Sequence, residues 1–293
     1  MAVVLITGCS TGIGQEAALS LAADGHTVYA SCRNPDGASE LKERIAESGL
    51  QIPVLKLDLL DLASIEASVQ QVVNEQGRLD VLVNNAAIGA GRALEETGLD
   101  EIREVYETNV FGSISVLKAV IPQMRQQGGG RLICVTSLAA SNVFGCHGTY
   151  SSSKAALEAV CEALAQELAE HNVKVSMITP GCVLTPMWTK GTPPPEDSPY
   201  MNSFGRFAQW CEFGLGRAAT PADCATAIRS AIEDEAPRLR YPVGPDAEDF
   251  WRAWQQVNDP EEWMRIACLD NAAYAEKMAE LMGVDYYGDA FAG

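Results

Sequence analysis

The stretch Ala2-Val3-Val4-Leu5-Ile6-Thr7-Gly8-Cys9-Ser10-Thr11-Gly12-Ile13-Gly14 decides the fold. Its first five residues are a short apolar run rich in β-branched side chains, the pattern of a strand buried on both faces. Glu16 to Ala23 follows with Ala17, Ala18, Leu19, Leu21 and Ala22, which suits a helix packed on a sheet. Gly8, Gly12 and Gly14 stand between the two. Glycine lets the chain turn tightly and lets an anion approach without meeting a Cβ, while the helix start offers unpaired N–H donors. The spacing is Gly-x-x-x-Gly-x-Gly, not the commoner Gly-x-Gly-x-x-Gly. Glycines alone mark any turn; set between a strand and a helix they point to a nucleotide pyrophosphate.

Working outward, strand and helix patterns alternate. Thr27–Ser31, Pro53–Leu57, Asp80–Asn84, Arg131–Thr136 and Val173–Thr179 read as short buried strands, with helical patterns at Gly37–Glu47, Leu62–Glu75, Leu99–Gln127 and Tyr150–His171. Such alternation predicts an α/β fold, a single Rossmann-like doubly wound domain with a parallel sheet. Ligands of that architecture bind beyond the carboxyl ends of the strands. Asp58, Asn84 to Ala87, Ser137 and Pro180-Gly181 all fall at such ends.

A second motif, Tyr150-Ser-Ser-Ser-Lys154, opens the last of these helical patterns. A tyrosine with a reference pKa near ~10 is a poor base at neutral pH. Lys154, one turn further on the same face, places an ammonium where it favours the phenolate. Ser137 can hydrogen-bond an oxygen on which charge develops. Taken singly, these are a half-buried tyrosine, a surface lysine and a capping serine; together they describe proton transfer to and from a carbonyl oxygen.

With both motifs in place, residues 2 to about 245 resemble the short-chain dehydrogenase/reductase family. Thr7–Gly14 is similar to its cofactor loop, and Asn84–Ala87 to its Asn-Asn-Ala-Gly element, with Ala87 where glycine is usual. The resemblance implies catalytic roles for Asn109, Ser137, Tyr150 and Lys154, with Asn109 holding a water that links Lys154 to solvent. It implies cofactor contacts from Gly8, Ser10, Thr11, Gly12, Ile13, Gly14, Asp58, Leu59, Asn85, Ala86, Tyr150 and Lys154. Pro180, Gly181, Val183 and Thr185 match the segment that receives the nicotinamide amide.

Cofactor choice follows from the end of the second strand, where an acid normally accepts the NAD ribose hydroxyls. Here Cys32 takes that position and Arg33 follows it, while Asp36 lies beyond Pro35. A guanidinium there grips the extra phosphate of NADP, so NADP(H) is expected over NAD(H). The alternative is a solvated loop arginine.

The chain has 293 residues with 21 basic and 39 acidic side chains, a formal net charge of −18. That length suits one sizeable core. The charge speaks against nucleic acid or an anionic membrane as partner. The first strand begins at Ala2 and no apolar run reaches spanning length, so a cytoplasmic protein without membrane insertion is expected. The 9 cysteines are odd in number and lack metal-like spacing, and His26, His147 and His171 form no cluster, so thiols are expected reduced and no metal is expected.

Substrate contacts are expected from two places. Between Ser137 and Tyr150, Phe144, Cys146 and His147 are candidates to face the reacting carbon; His147 could instead order the loop. The segment 186–216 carries Met187, Trp188, Tyr200, Met201, Phe204, Phe207, Trp210 and Phe213, interrupted by Pro193 to Pro195. A loop so long and aromatic predicts a lid over an apolar ligand, with Phe144, His147, Met187, Trp188 and Phe204 as substrate residues; packing onto its own core is the alternative. Residues 246–293 form an acidic extension in which Phe250, Trp251, Trp254 and Trp263, Ile266 recur at helical spacing, predicting short helices that wall the pocket or an interface. Residues 1–245 form the catalytic domain.

Within the family, the stretches at Val28–Pro35 and Arg240–Asp246 are most similar to the 17β-hydroxysteroid and retinol dehydrogenase branch. This implies a bulky apolar secondary alcohol or ketone, with steroid, retinoid, aromatic and lignin-type substrates all open, and a homodimer or homotetramer. A ketoacyl thioester reductase is a further possibility, disfavoured by the acidic surface. A non-catalytic NADP sensor should lack the tyrosine or lysine, and a halohydrin dehalogenase should lack the glycine loop and Lys154; this chain has them all.

Overall fold

The computed structural model describes residues 1–190, 194–257 and 260–288; Pro193 of the expected lid, and Asp259 and Asp289 of the tail, lie outside the described residues. Seven parallel strands form one sheet in the order β3-β2-β1-β4-β5-β6-β7. They are β1 (Val3–Ile6), β2 (Thr27–Cys32), β3 (Val54–Lys56), β4 (Val81–Asn84), β5 (Gly130–Val135), β6 (Val173–Pro180) and β7 (Arg240–Val243). The chain starts in the middle, runs out to β3, then returns past β1 to β4, so the order reverses between β1 and β4. That switch point is where the crossover helices diverge and leave a crevice.

Strand periodicity sorts the side chains to two faces. Val4, Ile6, Val28 and Ala30 pack with Ala17, Ala18 and Leu21 of α1 (Gly12–Ala23), Leu41 of α2 (Ser39–Ser48), and Cys224 and Ile228 of α8 (Pro221–Glu233). Leu5, Tyr29, Leu82 and Leu132 turn the other way. They meet Ile65 and Val69 of α3 (Leu62–Gln76), Val116 and Leu117 of α5 (Ser113–Gln126), and Leu157 and Cys161 of α6 (Gly148–Glu167). Burial of a strand on both faces explains why its sequence reads as an unbroken apolar run.

The single helix expected over 99–127 is in fact three pieces. α4 (Leu99–Tyr106) leads into a π-helical stretch, Glu107–Gly112, and then into α5. At Gly112 the helix presses against the loop after β3: an added Cβ would lie 2.6 Å from the Cβ of Leu59 and 2.8 Å from its carbonyl oxygen. The widened turn carries Asn109.

The expected long loop at 186–216 is largely helical. A short 3₁₀ turn, Pro186–Lys190, precedes α7 (Met201–Gly216), whose buried residues Phe207, Trp210, Cys211 and Gly214 recur at helical spacing. α8 and β7 are elements that the strand and helix patterns left unassigned. The tail forms α9 (Pro245–Gln256), α10 (Pro260–Ala267) and α11 (Asn271–Met282). Phe207 and Trp210 of α7 share a third core with Phe250, Ile266, Tyr274, Met278, Tyr286 and Tyr287 of the tail. Arg206 ties the two together, donating to Asn271 Oδ1 at 2.8 Å, Ala267 O at 3.0 Å and Leu269 O at 2.7 Å, with its guanidinium 4.3 Å from the Tyr274 ring centroid. Among the described residues, no helix is long and apolar enough to cross a membrane.

Candidate active site

The glycine loop is held in shape by the end of β4. Thr7 Oγ1 accepts the main-chain N–H groups of Asn85 at 2.9 Å and Ala86 at 3.0 Å, and Asn85 Nδ2 donates to Thr7 O at 2.9 Å and Gly8 O at 3.2 Å. Gly8 and Gly12 have φ of 74° and 67°, left-handed values that a side chain resists. Gly14 has no room for one: its Cβ would lie 2.6 Å from both Asn85 Nδ2 and Gly8 O. Thr11 precedes α1 without a side-chain cap, so the first amides of that helix are offered outward beside Gly12 and Ile13. Across from them, Gly12 faces the side chain of Thr185, to which its Cβ would approach within 3.2 Å. A narrow loop, open amides and a facing threonine fit a dinucleotide pyrophosphate.

At the end of β2, Cys32 is buried and its thiol is pushed up by burial, while Arg33 is exposed. Asp58 accepts from Leu60 N at 3.1 Å, which orders the turn carrying Leu59 after β3. Cys32, Arg33 and Asp58 thus lie together at the adjoining ends of β2 and β3.

Tyr150 and Ser137 are brought together: the Tyr150 phenol is buried with the Ser137 hydroxyl beside it, and Ser137 Oγ accepts from Ala139 N at 3.1 Å. Burial pushes Tyr150 up to about 12, and the Ser137 hydroxyl pulls the other way. Lys154 is 3% exposed, donates to Val135 O at 3.0 Å, and stands 5.8 Å from the Tyr150 ring centroid. Burial pulls its ammonium down to about 8, partly countered by nearby Cys134 and Glu158.

Asn109 is buried behind this pair. Its Oδ1 accepts from Ile88 N at 2.8 Å, and its Nδ2 donates to Ile88 O at 2.9 Å and Ser153 Oγ at 3.2 Å. The side chain is therefore committed to stapling the loop after β4 to α6, one residue before Lys154.

The expected substrate residues divide. Phe144 is buried against Trp210 at 4.7 Å and Phe207 at 6.0 Å between ring centroids, so it belongs to the core beneath α7. His147 stacks on Tyr150 and on Phe207, and burial pulls its imidazole down to about 4. Met187 and Trp188 are 39% and 40% exposed. Met187 lies over Gly89, whose Cβ would meet it at 3.6 Å, and Trp188 Nε1 donates to Val183 O at 2.7 Å. Phe204 is partly buried on α7. α7 also covers the turn before Tyr150 through Ser203, whose Oγ would lie 2.1 Å from a Cβ on Gly145, next to Cys146, a non-glycine residue at φ 62°.

Three residues of the site were given no role of their own by the sequence patterns. Thr7 ties two loops together, as above. Glu158, one turn beyond Lys154, accepts from Thr136 Oγ1 at 2.9 Å and pairs with Arg240 at 3.0 Å. Asp246 accepts from the main-chain N–H of Cys182 at 2.6 Å. Thr7 opens the motif read as the cofactor loop, Glu158 is signalled by its i+4 spacing from Lys154, and Asp246 stands at the end of the Arg240–Asp246 stretch among many acids.

Comparison with known proteins agrees with this geometry. The family model described as short chain dehydrogenase matches residues 2–195. The 3-ketodihydrosphingosine reductase of Bacteroides thetaiotaomicron is 34% identical over 272 residues, covering 90% of this chain and 97% of that relative. Human 17-beta-hydroxysteroid dehydrogenase type 1 is 35% identical over 254 residues, covering 82% of this chain and 76% of that one. A solved short-chain dehydrogenase from Streptomyces avermitilis superposes with a TM-score of 0.79 at 34% identity, covering 91% of this chain and 97% of the other.

Proposed function

The chain belongs to the short-chain dehydrogenase family, and from that premise we propose that it interconverts a bulky apolar secondary alcohol and its ketone, with NADP(H) preferred over NAD(H). The observation that carries the reading is the buried Tyr150–Ser137 pair with Lys154 beside it. A bound nicotinamide supplies or takes the hydride; the proton is the work of the chain.

With its pKa raised, the Tyr150 phenol holds its proton at neutral pH, the form that donates to a carbonyl oxygen gaining negative charge. Ser137 shares that oxygen and stabilises the charge. Lys154, still cationic below about 8, favours the phenolate that Tyr150 becomes. In the oxidative direction the same groups run in reverse. Asn109 acts as the staple that fixes α6 at this register.

Gly8, Ser10, Thr11, Gly12, Ile13, Gly14, Asn85 and Ala86 would hold the dinucleotide, with Asp58 and Leu59 toward the base. Pro180, Gly181, Val183 and Thr185 would receive its amide end. Arg33 would take the ribose phosphate, which its exposure and the buried Cys32 before it both support. Phe204, Met187, Trp188 and His147 would line an apolar pocket under α7, with Phe144 as backing. The relatives' names support this substrate class, since one denotes reduction of 3-ketodihydrosphingosine and another a 17-beta-hydroxysteroid. A homodimer or homotetramer belongs to the same reading.

The test is absorbance at the reduced-nicotinamide band, NADPH beside NADH, across bulky ketones, aldehydes and ketoacyl thioesters. Consumption of NADPH with apolar ketones is expected. A preference for thioesters, or for NADH, would overturn the corresponding half of the proposal.

A further inference from the structure

The segment after β6 is pinned nearly atom by atom. Gly181 N donates to Val243 O at 3.0 Å, Ala219 N donates to Cys182 O at 3.0 Å, and Leu184 N donates to Ala219 O at 3.1 Å. These are main-chain bonds to neighbouring strands and turns. Two further ties come from side chains: Trp188 Nε1, nearby in the chain, donates to Val183 O at 2.7 Å, and Cys182 N donates to Asp246 Oδ2 at 2.6 Å, a side chain 64 positions along the chain.

Asp246 is 1% exposed and stands in the first turn of α9, where the tail begins. Three backbones close around its carboxylate. A Cβ on Gly181 would overlap it, one on Gly244 would lie 3.0 Å from Oδ1, and one on Gly214 of α7 would lie 3.6 Å from Oδ2. The Gly214 Cβ would also come within 2.6 Å of Cys182 Sγ. The amide-end segment, the helix over the pocket and the start of the tail therefore converge on one buried carboxylate. Burial raises its pKa, and the Cys182 amide leads the groups that lower it. Burying a carboxylate is costly, and a first-turn residue needs no contact outside its own helix. This one is spent on a distant amide.

Resting on the proposed nicotinamide site at Pro180 to Thr185, we propose that Asp246 is a positioning residue. By holding the Gly181–Cys182 peptide, it sets where the main chain of Val183 stands and so couples the tail to binding of the cofactor's reacting end. The rest of the dinucleotide, bound at the glycine loop and Arg33, is independent of it.

The experiment compares the dissociation constants of NADPH and of 2′-phospho-ADP-ribose, which lacks nicotinamide, for the full-length protein and its variants. The unaltered protein is expected to bind NADPH more tightly than the fragment. Asp246→Ala should weaken NADPH by roughly tenfold while moving the fragment less than about twofold. Asp246→Asn keeps an acceptor of the same size and should stay within about threefold for both. Should the alanine variant not fold, Asp246→Ser serves, since serine suits a first helical turn but falls short of Cys182. Equal weakening of both ligands, or none, would reduce Asp246 to a structural part and overturn the inference alone. Equal affinity of the unaltered protein for both ligands would remove the nicotinamide site itself, and the inference with it.

Discussion

The imidazole of His147 stacks on the phenol ring of Tyr150, with centroids 4.8 Å apart and planes 25° from parallel. The same imidazole stacks on Phe207 of α7 at 4.6 Å. His147 thus joins Tyr150 to α7, and among the described residues its buried Nδ1 has no hydrogen-bond partner.

That placement gives a pH signature. With its pKa pulled from 6.5 to about 4, His147 stays neutral in the folded chain while the unfolded chain takes up a proton. Stability attributable to it is present above 6.5 and is lost as pH falls through that window, by about 3 kcal/mol in total. His147→Phe keeps a ring for both stacks and should show a shallower fall in denaturation midpoint between pH 6.5 and 4. Identical slopes in the two proteins would mean that His147 titrates normally.

Tyr150→Phe preserves the stack on His147 and removes only the hydroxyl. Turnover should fall by at least about a hundredfold while cofactor affinity changes by less than about twofold. A variant retaining substantial activity would sink the assigned proton donor.

Arg33→Ala separates the two cofactors. NADPH affinity should drop by roughly tenfold with little change for NADH. Equal losses would show that Arg33 touches no phosphate.

Gly14→Ala tests the loop. Its Cβ would lie 2.6 Å from Asn85 Nδ2 and Gly8 O, so the bonds from Asn85 to Thr7 and Gly8 must give way. About 1–3 kcal/mol of stability should go with them. Cofactor affinity should fall by roughly tenfold or more, measured by titration alongside thermal unfolding. Unchanged affinity would place the pyrophosphate elsewhere.

Arg206→Ala cuts the ties from α7 to the α10–α11 turn. A loss of about 1–3 kcal/mol is expected. KM for a bulky ketone should rise while cofactor affinity holds, as steady-state kinetics on two substrates of different size would reveal. Equal effects on large and small substrates would detach the tail from the pocket.

What could be foreseen from sequence was what short-range geometry encodes. The strand, glycine turn and helix of residues 2–23 occupy contiguous chain, and Tyr150 and Lys154 share a face by helical spacing alone. The break at Glu107–Gly112 is invisible to periodicity because it answers to Leu59, far away in the chain. α8 does carry a start signal, Thr220 and Asp223 in a capping box with Pro221 between them, which apolar periodicity passes over. β7 hides because Pro242 interrupts Arg240-Tyr-Pro-Val. Asp246 is one acid in an acid-rich tail by composition and a buried ligand of Cys182 by structure; only the folded chain separates the two.

The core shared by α7 and the tail has a mechanical consequence. Swinging α7 outward would strip Phe207 and Trp210 from Phe250, Tyr274 and Tyr286, or drag α9 to α11 along with it. The cover over Tyr150, α7 acting through Phe207 and His147, is therefore braced from behind by residues that follow it by some forty to eighty positions, so that its stiffness is set far from the residues it covers.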